Sequence, residues 1–241
     1  MSNLVLTLYT DGRFECLNQT IKSWERNLES AIMESILIDD SGDAAYSAVL
    51  VKHFDKKFDR VIRHQSRMGY LASITETWLY NLPPNAGYVL HLEDDFVLDR
   101  PFNAALIVEL LRNYHHLAQM SLMRAPWAEE EVAVVSATDV PRKDEAGFVR
   151  MSRPVGGAQV YWIEQNSVFT TAPCIYPIWV TKALTLQSDV APNSGIDVEE
   201  YITRRVRETY PSSMFGIFGW PEDGSMIRHI SIERLWHNRQ R

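Results

Sequence analysis

The first hundred residues alternate strand and helix patterns four times, and the strands break off at polar turns. Leu4-Val5-Leu6-Thr7-Leu8-Tyr9 reads as a strand, and Thr10-Asp11-Gly12-Arg13 turns it. Phe14 to Leu28 then carries Leu17, Ile21, Trp24 and Leu28 on one helical stripe. Met33 to Ile38 is a second strand ending in Asp39-Asp40-Ser41-Gly42-Asp43, and Ala44 to Phe54 reads as a helix. Arg60 to His64 is a short third strand. Tyr70 to Leu82 is a helix closed by Pro83-Pro84, and Tyr88 to Leu92 is the fourth strand. This alternation predicts an α/β fold with a mostly parallel central sheet and helices on both faces.

Open α/β sheets bind ligands beyond the carboxyl ends of their strands. Parallel strands would therefore gather Thr10-Asp11, Asp39-Asp40 and Glu93-Asp94-Asp95 on one edge. The last turn is the most demanding, because three adjacent acids leave an apolar strand and Phe96-Val97-Leu98 turns apolar again. Their mutual repulsion calls for a positive partner. A hard divalent cation answers, since Mg²⁺ and Mn²⁺ take oxygen ligands, keep waters and share their shell with substrate phosphates. Asp39 to Asp43 also suits a plain turn and helix cap.

Three stretches, TLYTDGR, ILIDDSGD and YVLHLEDDFVL, resemble in content and spacing the donor half of GT-A glycosyltransferases of the family 2 kind. The last is similar to their DxD-type motif. The resemblance implies the GT-A, nucleotide-diphospho-sugar transferase fold in one catalytic domain over residues 1–241. Residues 1–100 would hold the nucleotide-diphospho-sugar donor and 101–241 the acceptor. It implies Thr10 and Asp11 near the nucleoside, Asp39 or Asp40 on base or ribose, and Asp94 facing ribose or sugar. Asp95 would be a ligand of Mn²⁺ or Mg²⁺. Glu93 fills a position that is often Asp, so the share between Glu93 and Asp95 stays open.

Two later stretches extend the resemblance. GIDVEEYITRRV is similar to the acidic helix start that supplies the base in inverting members, with Glu200 first, Glu199 beside it and Asp197 as alternate. A helix N-terminus keeps such an acid ionised, and Ser194 and Asp197 are spaced like a capping box. SMIRHISIE is similar to the late histidine segment that completes the metal shell, which implies His229 as ligand and His237 as a second candidate. Ser231 stands where glycine is usual. Arg228 would pair with the diphosphate.

Elsewhere the pattern predicts a helix over Phe102 to Leu117, a strand over Ser121 to Trp127, and a loop over 136–158 that is either a lid or a surface excursion. A strand or hairpin follows over Gln159 to Thr170, then a helix with Pro177 in its first turn running to about Gln187. Trp162 and Trp220 are candidate platforms for an acceptor sugar. With 46% hydrophobic and 23% charged residues the chain suits a soluble protein. No apolar run spans a bilayer, and Met1-Ser2-Asn3-Leu4 lacks a basic leader. No membrane partner and a cytoplasmic location are expected. Cys16 and Cys174 match no metal spacing and are expected as buried thiols.

A net charge of −7 opposes a general nucleic-acid binder. Seven arginines against four acids nevertheless leave the segment from Tyr201 onward at +3. The small size resembles phage-encoded glycosyltransferases, for which the location would be the host cytoplasm. The expected acceptor is a protein, a glycan or a hydroxymethylated DNA base. The expected function is metal-dependent, inverting sugar transfer to a hydroxyl. Two alternatives stand beside it. One is a non-catalytic nucleotide-sugar-binding module. The other is a sugar nucleotidyltransferase, which usually carries a Gly-rich basic loop where TDGRFE has one Gly and one Arg.

Overall fold

A computed structural model describes residues 3–125, 149–185 and 197–230. Trp127, Glu129 to Glu131, Ser194, Ser231, His237 and the arginines from Arg234 onward lie outside the described residues. The seven residues of β1 (Leu4–Thr10) are all buried. Successive side chains on a strand face opposite sides. Leu4, Leu6 and Leu8 accordingly enter one core, and Val5 and Tyr9 the other. The first core takes Leu17, Ile21 and Trp24 of α1 (Phe14–Asn27), Leu50 and Phe54 of α2 (Ala44–Phe54), and Ile107 and Leu111 of α4 (Ala104–Asn113). The second takes Ile74 of α3 (Tyr70–Glu76), Ala183 of α5 (Lys182–Thr185), and Ile202 and Val206 of α6 (Val198–Thr209). Helices thus cover both faces of the sheet.

The remaining strands of the main sheet are β2 (Glu34–Asp39), β3 (Arg60–Arg63), β4 (Tyr88–Glu93), β6 (Leu117–Leu122), β8 (Val149–Val155), β9 (Ala158–Gln165), β10 (Cys174–Pro177) and β11 (Met214–Phe218). Their order is β3-β2-β1-β4-β10-β6-β11-β9-β8. The first four strands are mutually parallel. The chain adds β2 and β3 on one side of β1 and then β4 on the other, which opens a switch point between β1 and β4. Beyond β4 the sheet is mixed: β10 runs antiparallel to both neighbours, β11 is parallel to β6, and an antiparallel β8–β9 hairpin forms the far edge. A second sheet, in the order β5-β12-β7, joins β5 (Phe96–Leu98), β12 (Ile227–His229) and β7 (Arg124–Ala125).

The second half departs from its sequence pattern in four places. The expected helix to Leu117 stops at Asn113, and Leu117 opens β6 after a turn closed by its N–H to Tyr114 O at 2.9 Å. The strand expected from Ser121 therefore begins four residues earlier. Residues 149–158 are strand and turn rather than loop. Gly156 and Gly157, with φ of 58° and 81°, supply the left-handed pair that a tight hairpin requires. Pro177 ends β10 instead of entering a helix, and a 3₁₀ turn, Ile178–Thr181, leads into α5. Both cysteines are buried and neither is in a disulfide. No helix among the described residues is long and apolar enough to cross a membrane.

Gly42, at φ 66°, lets the loop before α3 close on the turn after β2. A Cβ there would sit 2.5 Å from Arg67 N. Gly42→Ala is expected to cost about 1–3 kcal/mol of stability in a urea titration.

Candidate active site

Register alignment builds the site. Tyr9 pairs with Glu93 and Thr10 with Asp39, so the three acidic turns emerge side by side. They border a cleft of about 210 Å³. Tyr9, Thr10, Asp11 and Arg13 line it from β1 and its turn, Asp40 from β2, Glu93 from β4, and Arg67, Tyr70 and Ser73 from α3 and the loop before it.

The positive partner of the acidic turn is Arg13. Its guanidinium donates from Nη2 to Asp94 Oδ1 at 2.5 Å, from Nη1 to Asp95 Oδ2, and from Nε to Asp11 Oδ1 at 2.8 Å. These carboxylates outweigh the opposing effect of burial and raise the Arg13 pKa above its usual value. Asp94 is fully buried and also accepts from Thr10 Oγ1 at 2.6 Å. Burial lifts Asp94 to about 7 and Arg13 opposes the lift; the 2.5 Å ion pair favours the charged form. Asp94 thus faces Thr10 and Arg13 rather than the cleft. The sequence reading missed the role of Arg13. Its signal was that no other Lys or Arg falls within the three acidic turns.

Asp39 and Asp40 divide their work by strand alternation. Asp39 lies behind the cleft, accepting from Ser41 N at 3.0 Å and Ser47 Oγ at 2.5 Å. Asp40 lines the cleft and accepts from Met68 N at 2.8 Å and Gly69 N at 2.9 Å, and it contacts His64 Nδ1 at 2.8 Å. The capping role falls to Asp43, which accepts from Ala45 N and Tyr46 N.

Glu93 turns toward α3. Tyr70 donates its hydroxyl to Glu93 Oε1 at 2.7 Å and lies 2.7 Å from His91 Nε2. Burial pulls His91 down to about 3, so it is neutral. Nδ1 has no partner among the described residues. A proton on Nε2 lets His91 donate to Tyr70 and Tyr70 donate to Glu93. Burial pushes Glu93 up to about 8, and the bonds from Tyr70 and Thr171 only partly offset this.

Thr171 connects Glu93 to the start of α6. Glu199 Oε1 accepts from Thr171 N at 2.6 Å, Thr171 Oγ1 at 3.2 Å and Thr170 Oγ1 at 2.7 Å. Asp197 is the N-cap of α6, accepting from Glu200 N at 2.9 Å, which commits that carboxylate to the backbone. Glu200 is exposed and lines a second hollow with Ser167, Val168 and Asp197.

Pairing of β12 with β5 brings His229 opposite Phe96, where the rings stack at 4.5 Å and 10°. His229 Nε2 then lies 2.9 Å from Asp95 Oδ2. Metal–ligand bonds of about 2.1 Å at right angles separate neighbouring ligands by about 3 Å. Asp95 and His229 therefore fit as adjacent ligands of a hard divalent cation, whereas Glu93 faces Tyr70. Among the described residues no three His, Cys, Asp or Glu form a metal-holding group. Two protein ligands completed by phosphates and water is a usual arrangement for such ions. Arg228 points the other way along β12 and pairs with Asp99 at 3.2 Å, so it is not part of the cleft. Trp162 is a fully buried core residue bonded to Glu164 at 3.0 Å, not an acceptor platform. Trp220 packs on Tyr161 at 4.6 Å beneath Arg150.

No protein-family model matches the chain, and no curated protein matches it in sequence. Solved structures do. TarS of S. aureus, residues 1–349, superposes with a TM-score of 0.53 at 11% identity over 98% of this chain. The same portion in complex with UDP gives 0.50 at 12% identity over 95%. GalNAc-T7 with UDP, GalNAc and Mn²⁺ gives 0.57 at 10% identity over 94%. The chain spans 63%, 60% and 43% of those chains, respectively. At this identity the likeness establishes architecture: the chain carries the GT-A fold of glycosyltransferases.

Proposed function

We propose that this protein transfers a sugar from a nucleotide-diphospho-sugar to an acceptor hydroxyl, with inversion at the anomeric carbon and the aid of Mn²⁺ or Mg²⁺. One observation carries the reading. The ends of β1, β2 and β4 bring Thr10, Asp11, Asp40 and Glu93 to one cleft, with Asp95 beside it, at the switch point of a GT-A sheet. Residues 1–100 serve the donor. Residues 101–241 serve the acceptor, whether protein, glycan or hydroxymethylated DNA base.

Asp40, fixed by two backbone N–H groups, accepts hydrogen bonds from the nucleoside. Asp95 and His229 hold the divalent cation, which when bound neutralises charge developing on the departing diphosphate. Arg67 and Arg13 offer N–H donors to phosphate oxygens. Glu93, protonated below about pH 8, adds no negative charge where the diphosphate must settle. Glu200 takes the proton of the acceptor hydroxyl as that oxygen attacks the anomeric carbon. Glu199, tied to Thr170 and Thr171, holds the start of α6 in place.

A panel of nucleotide sugars, assayed for binding and hydrolysis with Mn²⁺, Mg²⁺ or EDTA, tests the reading. One donor should turn over with metal, and Asp95→Ala should abolish that turnover. Binding without turnover, once acceptors are supplied, would leave a binding module; no binding at all would end the proposal. With an acceptor in hand, Glu200→Gln should lower kcat about 10²- to 10⁴-fold while donor affinity holds. The same loss in Glu199→Gln alone would move the base by one residue.

Glu93 has a separate signature in stability. Its folded pKa lies above the ordinary 4.5. The stability it contributes is therefore complete below about pH 4.5 and lost as pH rises through about 8. In EDTA, wild type should lose more Tm between pH 5 and pH 9 than Glu93→Gln does, by on the order of 5 °C. Parallel pH profiles would place the Glu93 pKa in its ordinary range.

A further inference from the structure

One carboxylate oxygen has two suitors. Asp95 Oδ2 accepts from Arg13 Nη1 and also lies 2.9 Å from His229 Nε2, the atom that would share a divalent cation with it. We infer, resting on the donor reading above, that Arg13 is a built-in counter-ion that surrenders Asp95 to the metal when a nucleoside diphosphate enters the cleft and takes up the released guanidinium edge.

Three observations carry this. Arg13 sits at the N-cap of α1, where its side chain makes no capping bond and its charge opposes the helix macrodipole. Its position answers instead to the carboxylates of Asp11, Asp94 and Asp95. The guanidinium is also divided between two buried carboxylates, Asp94 at 0% and Asp95 at 4% side-chain exposure. Nη2 is held by Asp94, whose side chain is 0% exposed, whereas the Arg13 side chain is 39% exposed and lines the cleft. Nη1 can leave Asp95 while Nη2 stays on Asp94, so Asp94 keeps its partner and the incoming cation takes over the charge on Asp95. Finally, Asp11 is already bridged to a second guanidinium, Arg67 Nη2 at 2.8 Å, which is 62% exposed. Two forks therefore frame the same cleft, and phosphate oxygens suit such forks.

The geometry makes metal and nucleotide cooperative. Alone, the metal must displace a guanidinium that has nowhere better to go. With a diphosphate present, the displaced edge gains a new acceptor, and the two ligands aid each other by equal factors.

Mn²⁺ titrations followed by electron paramagnetic resonance, with and without UDP, test this on the intact chain. Wild type should bind Mn²⁺ weakly alone and more tightly with UDP. Arg13→Gln should bind Mn²⁺ alone more tightly than wild type, on the order of tenfold, and the UDP enhancement should shrink. Should Arg13→Gln fail to fold because Asp94 is stranded, Arg13→Gln/Asp94→Asn removes the buried charge with its partner and poses the same contest at Asp95. Equal Mn²⁺ affinity in wild type and variant, with equal UDP enhancement, would overturn the inference and leave the donor reading standing. Absence of both Mn²⁺ and UDP binding from every protein would overturn the donor reading and this inference with it.

Discussion

The cleft end of the molecule is organised around a buried charge. Asp94 is sealed from solvent, and an isolated carboxylate there would be costly to keep ionised. Arg13 meets it with a fork whose other arms reach Asp95 and Asp11. Such a cluster is weak evidence of net stability, because the desolvation of both partners offsets the attraction. It is strong evidence of specificity. The fork closes only if β4 ends level with β1, if the β1 turn folds back on it, and if α1 starts at Arg13. The Thr20 hydroxyl, one and a half turns into α1, donates to Asp94 O at 2.8 Å and locks that helix onto the same turn.

Charge inside the cleft is balanced differently from charge on the whole chain. A net −7 would repel a diphosphate at long range. Locally, Asp39 and Asp94 are turned inward onto protein donors, and burial raises the Glu93 pKa. Arg13 and Arg67 face the cavity. Of the six acids in the three turns, Asp11, Asp40 and Glu93 line the cleft beside these two arginines. Neighbouring acids take different places because strand alternation points them to different sides: Asp39 holds the turn and Asp40 lines the cleft.

Much of the first hundred residues could be read from sequence because its signals are local. β1, β2 and β4 carry buried runs and are bounded by turn residues, and α2 keeps the limits that its pattern set, Ala44 to Phe54. The second half carries weaker signals. β8 is an edge strand with a single buried residue, Val155, and Arg153-Pro154 followed by two glycines imitates a loop. Leu117 continued the apolar spacing of α4 although it begins a strand, since a buried strand residue and a buried helix residue look alike over a few positions. Arg13 was visible as a letter but not as a partner, because pairing with Asp94 spans 81 positions. The acids at 197–200 were legible as a group. Which one caps, which one is tied down and which one is open became clear only from Thr170, Thr171 and the helix start.

The histidine end of the site depends on the longest connection. His229 reaches Asp95 across 134 positions, and no element of the main sheet carries it there. The three-stranded second sheet does. β12 pairs with β5, which begins one residue after Asp95, and Ile230 N donates to Asp95 O at 2.8 Å. The main chain of the acidic turn is thereby bonded to the same segment that presents the imidazole, and Phe96 stacks on that ring to set its plane. Asp94 and Asp95 are therefore held from opposite ends of the chain, one by α1 and the other by β12. An early segment supplies the charge that makes the acids tolerable, and a late one supplies the neighbour that makes them useful to a cation. A turn built this way has two stable partners for Asp95, which is the physical requirement for a site that exchanges one positive charge for another.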